Sequence, residues 1–145
     1  MIGVVYVPAQ EKTYYGVEGK GSFKIESKGS DALAIGNKEH YSTKQKVTVV
    51  GSRSHMDENT LAFVEQLKAD GKEVEFSSSG SSLKFCLVAE GKADVYPRFA
   101  PTMEWDTGAA HGVVLYAGKN VFDRNTGLPL KYNKENLLNP FFIVE

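Results

Sequence analysis

Cysteine is almost missing from this sequence: Cys86 stands alone among 145 residues. One thiol cannot close an internal disulfide, so packing must hold the fold, and such a chain suits a reducing compartment. Cys86 lies in the apolar run Lys84-Phe85-Cys86-Leu87-Val88 and reads as a small core residue. Long hydrophobic runs are absent too, since none approaches the roughly 20 residues a membrane-crossing helix needs. The opening Met1-Ile2-Gly3-Val4-Val5 lacks the basic region of a signal peptide. Neither sign of charge is in excess, with 17 Lys and Arg against 18 Asp and Glu. No global field therefore draws in nucleic acid or an anionic membrane surface, and an anionic ligand must be caught by a local site. These absences predict a soluble, cytoplasmic protein.

What is present is enough for one compact core, with 41% apolar and 11% aromatic residues. The first segment reads as an antiparallel meander of strands, Gly3 to Val7, Thr13 to Glu18 and Ser22 to Glu26, punctuated by Pro8 and the glycines 16, 19 and 21. Its apolar first strand has no polar lead-in, either as though a sheet had been cut open or as an ordinary first strand that starts early. Residues 27 to 44 are polar and read as a surface excursion. From Val47 the pattern changes. Val47 to Val50 is a buried-type strand, and Asp57 or a neighbour caps a helix carrying Leu61, Val64, Leu67 and Lys68, ended by Gly71. Glu73 to Phe76 is the next strand, and Ser77 to Ser82 leads into a helix with Leu83, Leu87, Val88 and Ala89, closed by Gly91. Asp94 to Pro97 is a third strand, Trp105 to Tyr116 a helix of small residues, and Val121-Phe122 a further strand. Such alternation predicts an α/β fold with a sheet flanked by helices.

Ligands of such sheets gather beyond the carboxyl ends of strands, where loops feed helices. Three polar clusters hold that place. Gly51-Ser52-Arg53-Ser54-His55 offers hydroxyls, a guanidinium and an imidazole suited to phosphate oxygens, although Ser52 could equally cap the helix with Arg53 and His55 exposed. Ser79-Gly80-Ser81-Ser82-Leu83-Lys84 puts small residues at a turn with Lys84 one turn in, yet lacks the spacing of a triphosphate-binding loop, and its serines could be simple caps. Glu104-Trp105-Asp106-Thr107-Gly108-Ala109-Ala110-His111 places a carboxylate at a helix start. There Asp106 is either an N-cap or an ionised oxygen ligand for a hard cation such as Mg²⁺. Trp105 and His111 read as packing residues.

The run Trp105-Asp106-Thr107-Gly108-Ala109-Ala110 resembles the second signature of the inositol monophosphatase superfamily. Gly3-Val4-Val5-Tyr6-Val7-Pro8, Ser52-Arg53-Ser54-His55, Gly80-Ser81-Ser82-Leu83-Lys84, Ala89-Glu90-Gly91-Lys92-Ala93-Asp94 and the closing Tyr132 to Pro140 extend the resemblance in order over nearly the whole chain. Within the superfamily it looks most similar to the bacterial 3'(2'),5'-bisphosphate nucleotidases of the CysQ type. The resemblance implies a Mg²⁺-dependent phosphatase that removes the 3'-phosphate of adenosine 3',5'-bisphosphate to give AMP in sulfur assimilation. It implies that Asp106 ligates the metal and that Ser52, His55, Gly80 and Lys84 contact the nucleotide. Two alternatives stay open: an inositol- or sugar-phosphate phosphatase on the same scaffold, and a nucleotide-binding fragment without catalysis.

Members of that superfamily place a metal-binding glutamate and an Asp-Pro-x-Asp-Gly-Thr signature before the matching first strand, and the string Asp-Pro does not occur in this sequence. The resemblance therefore implies the carboxy-terminal half of a layered α/β sandwich, with a mixed sheet flanked by helices. Residues 1–44 would be strands of an incomplete first subdomain, and residues 45–145 an α/β subdomain carrying the site. It further implies that the isolated chain is a poor catalyst and that its exposed first strands favour homo-oligomers.

Overall fold

The computed structural model describes residues 1–36, 38–52 and 57–145. Strands β1 (Ile2–Val7), β2 (Lys12–Val17), β3 (Gly21–Ile25) and β4 (Leu33–Ile35) form an antiparallel sheet in that spatial order. The first three follow the alternation and glycine turns of the sequence. β4 corrects the reading of residues 27 to 44 as a surface excursion, because three of them extend the sheet beside β3.

The second part alternates strands and helices. β5 (Lys46–Gly51) runs parallel to β6 (Glu73–Ser78), with α1 (Glu58–Ala69) as the crossover. Asp57 caps α1 by accepting the Thr60 N–H at 2.9 Å, which satisfies one orphan donor of the first turn. Val64 and Leu67 are buried as the spacing implies, whereas Leu61 is exposed and Thr60 takes the inward position, its hydroxyl bonded to Asp57. α2 (Leu83–Ala89) follows β6, and β7 (Tyr96–Arg98) lies beside β5, joined by a parallel bridge between Val49 and Val95. After α3 (Glu104–Tyr116), β8 (Val121–Asp123) and β9 (Phe142–Val144) complete a three-stranded sheet in which β9 runs antiparallel between β7 and β8. The expected mixed arrangement of strands with helices is therefore present.

One core unites these parts. Tyr14 of the first sheet, Phe85 and Val88 of α2, Val113 and Val114 of α3 and Phe142 of β9 belong to a single buried cluster. A smaller cluster joins Val47, Val49 and Val95 to Val64 and Leu67 of α1. α3 sits unusually close to the first sheet: a Cβ built on Gly3 would lie 2.2 Å from the Ala109 carbonyl oxygen, and one on Gly16 would lie 2.5 Å from that of Gly112. Only glycine allows the helix to seat this deeply. Among the described residues no helix is long and apolar enough to cross a membrane.

Candidate functional site

Because β5, β6 and β7 run parallel, their carboxyl ends point the same way. The loops leaving those ends surround a cavity of about 480 Å³. Ser52 follows β5, Gly80, Ser81, Ser82 and Lys84 follow β6, Arg98 ends β7, and Trp105 and Asp106 open α3. Of the residues singled out from the sequence, Ser52, Gly80, Lys84 and Asp106 line this one cavity. His55 lies outside the described residues.

The β6–α2 turn is pinned to the end of β5 by the Ser79 N–H, which donates to the Gly51 carbonyl at 3.0 Å. Ser81 holds a left-handed backbone at φ 48°, a conformation that costs a non-glycine residue free energy and persists where the surroundings fix it. Ser82 stands before α2, but its hydroxyl makes no capping bond, so the capping alternative does not describe it. At Gly80 an added Cβ would meet nothing within 4 Å, so this glycine leaves room at the cavity wall rather than relieving a clash.

Two cations face the space. Lys84 is buried, with Nζ over the Tyr96 ring at 5.1 Å from its centroid, and among the described residues it donates a single long bond of 3.4 Å, to the Ser79 carbonyl. Burial and then the charge of Arg98 pull its pKa below the ordinary lysine range. Arg98 donates through Nη2 to the Pro101 carbonyl at 3.4 Å, and its buried Nε has no partner among the described residues. Neither cation belongs to an ion pair among the described residues. Two cations with no acidic partner among the described residues, beside one cavity, invite an anion, with a bidentate group at Arg98 and a point charge at Lys84. Arg98 was missed in the sequence. The available signal is its place as a cation at the carboxyl end of the third strand, one residue beyond the Asp94 to Pro97 stretch that the pattern marks.

The opposite wall is the first turn of α3. Asp106 is not the N-cap: Met103 holds that position, and Asp106, three residues on, reaches back so that Oδ2 accepts the Met103 N–H at 2.8 Å. Its Oδ1 has no partner among the described residues. Trp105 is 68% exposed at the rim of the cavity, which corrects its reading as a packing residue. His111 is buried between the Tyr132 hydroxyl and the Asn120 side chain, and burial holds its pKa below the usual imidazole value, so its part is structural.

The closing segment straps this turn in place. Glu104 donates its N–H to the Leu137 carbonyl at 3.0 Å, and its carboxylate accepts the Asn133 and Lys134 N–H groups and the Lys134 ammonium. That ammonium, followed by the backbone donors, holds the Glu104 carboxyl below its ordinary pKa. Asn139 donates through Nδ2 to the Met103 carbonyl at 2.8 Å and to the Thr107 hydroxyl at 3.1 Å.

The donor set does not by itself make a magnesium site. Mg²⁺ asks for about six oxygen ligands in octahedral array. Among the described residues no three His, Cys, Asp or Glu side chains come together, and Asp106 is the one carboxylate lining the cavity.

Comparison with known proteins adds a second kind of observation. The sequence model of the inositol monophosphatase family matches residues 1–140. The protein named 3'(2'),5'-bisphosphate nucleotidase CysQ from Salmonella typhimurium is 40% identical over 145 residues, covering 99% of this chain and 54% of that protein. The crystal structure of CysQ from Bacteroides thetaiotaomicron, described as a bacterial member of the inositol monophosphatase family, superposes with a TM-score of 0.88 at 43% identity, covering 100% of this chain and 57% of that one. Inositol monophosphatase II from Staphylococcus aureus superposes with a TM-score of 0.70 at 16% identity over 99% of this chain and 49% of that one, a likeness of fold alone. The chain spans about half the length of the curated relatives it matches.

Proposed function

Since this chain belongs to the inositol monophosphatase family, we propose that it carries the substrate-binding side of a Mg²⁺-dependent phosphatase that removes the 3'-phosphate of adenosine 3',5'-bisphosphate, giving AMP. In this reading the enzyme is cytoplasmic and serves sulfur assimilation. The observation that carries it is the pair of cations, Lys84 and Arg98, which have no ion-pair partner among the described residues and are set in one cavity with Ser52, Gly80 and Asp106. The names of the relatives, bisphosphate nucleotidases about 40% identical over 99% of this chain, support the nucleotide as substrate.

A phosphate monoester resists attack because an anionic nucleophile meets an anionic group, and hydrolysis needs that charge offset and the ester held in line. Lys84 and Arg98 offset charge on the nucleotide phosphates. Ser52 donates or accepts at their oxygens, and Gly80 leaves room for close approach. The exposed indole of Trp105 offers a face for stacking an adenine ring. His55 is proposed as a further nucleotide contact. Magnesium, when bound, neutralises charge on the phosphoryl oxygens, and Asp106 would give it one oxygen ligand. A single carboxylate is too few, so turnover needs carboxylates from outside these 145 residues.

That shortage favours a second reading for the chain by itself: it binds nucleotide without turning it over. An inositol- or sugar-phosphate substrate on this scaffold is the competing assignment. The test is phosphate release in Mg²⁺, with the chain joined to the part of the Salmonella relative that it does not match. Release from adenosine 3',5'-bisphosphate that disappears in Asp106→Asn is the expected result. A preference for inositol monophosphate, or full activity in that variant, contradicts the proposal.

A further inference from the structure

Behind the first turn of α3, five side chains form a hydrogen-bonded row: Asn120, His111, Tyr132, Thr107 and Asn139. Thr107, His111 and Asn139 are buried. Both ends of the row are pinned by backbone groups, and that decides where each proton lies. At one end Asn120 Oδ1 accepts the Val121 N–H at 2.8 Å, so this atom is the amide oxygen. It lies 2.8 Å from His111 Nε2, and an oxygen that only accepts requires Nε2 to carry a proton.

Burial holds the imidazole pKa below its ordinary value, so at neutral pH the other nitrogen, Nδ1, is a bare acceptor. The Tyr132 hydroxyl, 2.9 Å away, gives its one proton to Nδ1, and its oxygen is left to accept. The Thr107 hydroxyl stands 3.2 Å from that oxygen and 3.2 Å from the Glu104 carbonyl, the two acceptors for its own proton. At the far end Asn139 Nδ2 donates to Thr107 Oγ1 at 3.1 Å and to the Met103 carbonyl at 2.8 Å.

The row ends on the residue that holds Asp106. Asn139 takes the Met103 carbonyl while Asp106 Oδ2 takes the Met103 N–H at 2.8 Å, so a rotation of Met103 moves the carboxylate. The Tyr132 ring packs against the same turn, since a Cβ built on Gly108 would lie 3.6 Å from its Cε1. An imidazole protonated on the wrong nitrogen, or a hydroxyl removed, leaves a polar group of the row unpaired, and the first turn shifts to find it a partner.

We propose that His111 and Tyr132 are positioning residues: acting through Thr107 and Asn139, they fix the rotation of the first turn of α3 and so the direction in which Asp106 and Trp105 meet the cavity. Their part in turnover rests on the nucleotide reading above. The order of protons does not.

Nitrogen NMR of the chain by itself, with its histidines labelled, reads the order directly. His111 is expected with Nε2 protonated and Nδ1 bare at pH 7, and Tyr132→Phe should move the Nδ1 resonance alone. Amide exchange at Met103 and Glu104 should quicken about tenfold in Tyr132→Phe and Thr107→Val, and stay at the wild-type rate in Thr107→Ser, which keeps the hydroxyl. Exchange at Val113 should not change in any of the three, which shows the core intact. With the chain joined to the part of the Salmonella relative that it does not match, Tyr132→Phe and Thr107→Val should each lower kcat for adenosine 3',5'-bisphosphate at least tenfold with KM within about twofold. Thr107→Ser should preserve both constants. A protonated Nδ1, exchange unmoved by loss of either hydroxyl, quickened exchange with kcat unchanged, or a Thr107→Ser as impaired as Thr107→Val would each overturn the proposal. Absence of phosphate release from the joined wild-type protein would count against the nucleotide reading instead, with the NMR and exchange results still deciding the row.

Discussion

The two walls of the cavity differ in how complete they are. The wall built by the ends of β6 and β7 holds two cations, a strained serine turn and an aromatic floor under Lys84, all from this chain. The facing wall, the first turn of α3, holds one carboxylate, of which a single oxygen is partnered among the described residues. An anion needs little more than the first wall, because charge-assisted bonds from a buried lysine and a guanidinium are strong. A hard divalent cation needs several oxygens, which the second wall lacks. Under the proposed function, binding and catalysis are thus separable, and substitutions on the two walls should act on different quantities.

The largest effect is expected where the second wall is seated. Gly16→Val would drive Cβ into the Gly112 carbonyl and the Val113 backbone, so it should cost about 3 kcal/mol in urea unfolding, with α3 displaced. Lys84→Met keeps the buried stem and removes the charge. It should weaken adenosine 3',5'-bisphosphate binding by about 30-fold, or about 2 kcal/mol, in titration calorimetry.

Arg98→Leu should weaken binding by about tenfold and also change its pH dependence. Lys84 binds the anion while protonated, and burial and Arg98 hold its pKa low, so affinity should fall as pH rises, starting below the ordinary lysine value of about 10.4. Without Arg98 that fall should move to higher pH. Stability has the opposite sign: a buried lysine with a lowered pKa opposes folding while charged, so the chain should gain stability as pH rises through that folded-state value.

On the second wall, Asp106→Asn should leave metal-free nucleotide affinity within about threefold, since repulsion from one exposed acid is screened by solvent, while removing any increment that Mg²⁺ adds. Gly80→Ala should be the smallest change, within about 0.5 kcal/mol in stability, because open space surrounds that position. A tenfold loss of affinity in that variant would show that the nucleotide occupies the space.

Much of the first wall was legible in the sequence, because strand alternation, helix punctuation and small residues after each strand are local signals. β5, β6 and the helix capped by Asp57 lie where the pattern puts them. The elements missed are short and defined by distant partners. β4 has three residues and exists through its pairing with β3, and β9 earns its central place only through β7 and β8. Asp106 was found, but its bond back to Met103 depends on where the helix starts, and the strap through Glu104 and Asn139 joins segments far apart in the chain. Trp105 reads as core by composition, and only the fold sets it at the rim. Which face of the first strand turns inward is set by the seating of α3 on Gly3 and Gly16, with Val5 and Val7 packed beside them, a long-range contact that strand alternation does not reveal.

The most direct test of the account is calorimetry on the chain alone, without metal, titrated in parallel with adenosine 3',5'-bisphosphate and inositol monophosphate. Micromolar binding of the nucleotide, weaker binding of the inositol phosphate and nucleotide binding weakened about 30-fold in Lys84→Met are predicted. Absence of nucleotide binding, or binding that survives Lys84→Met unchanged, would contradict it.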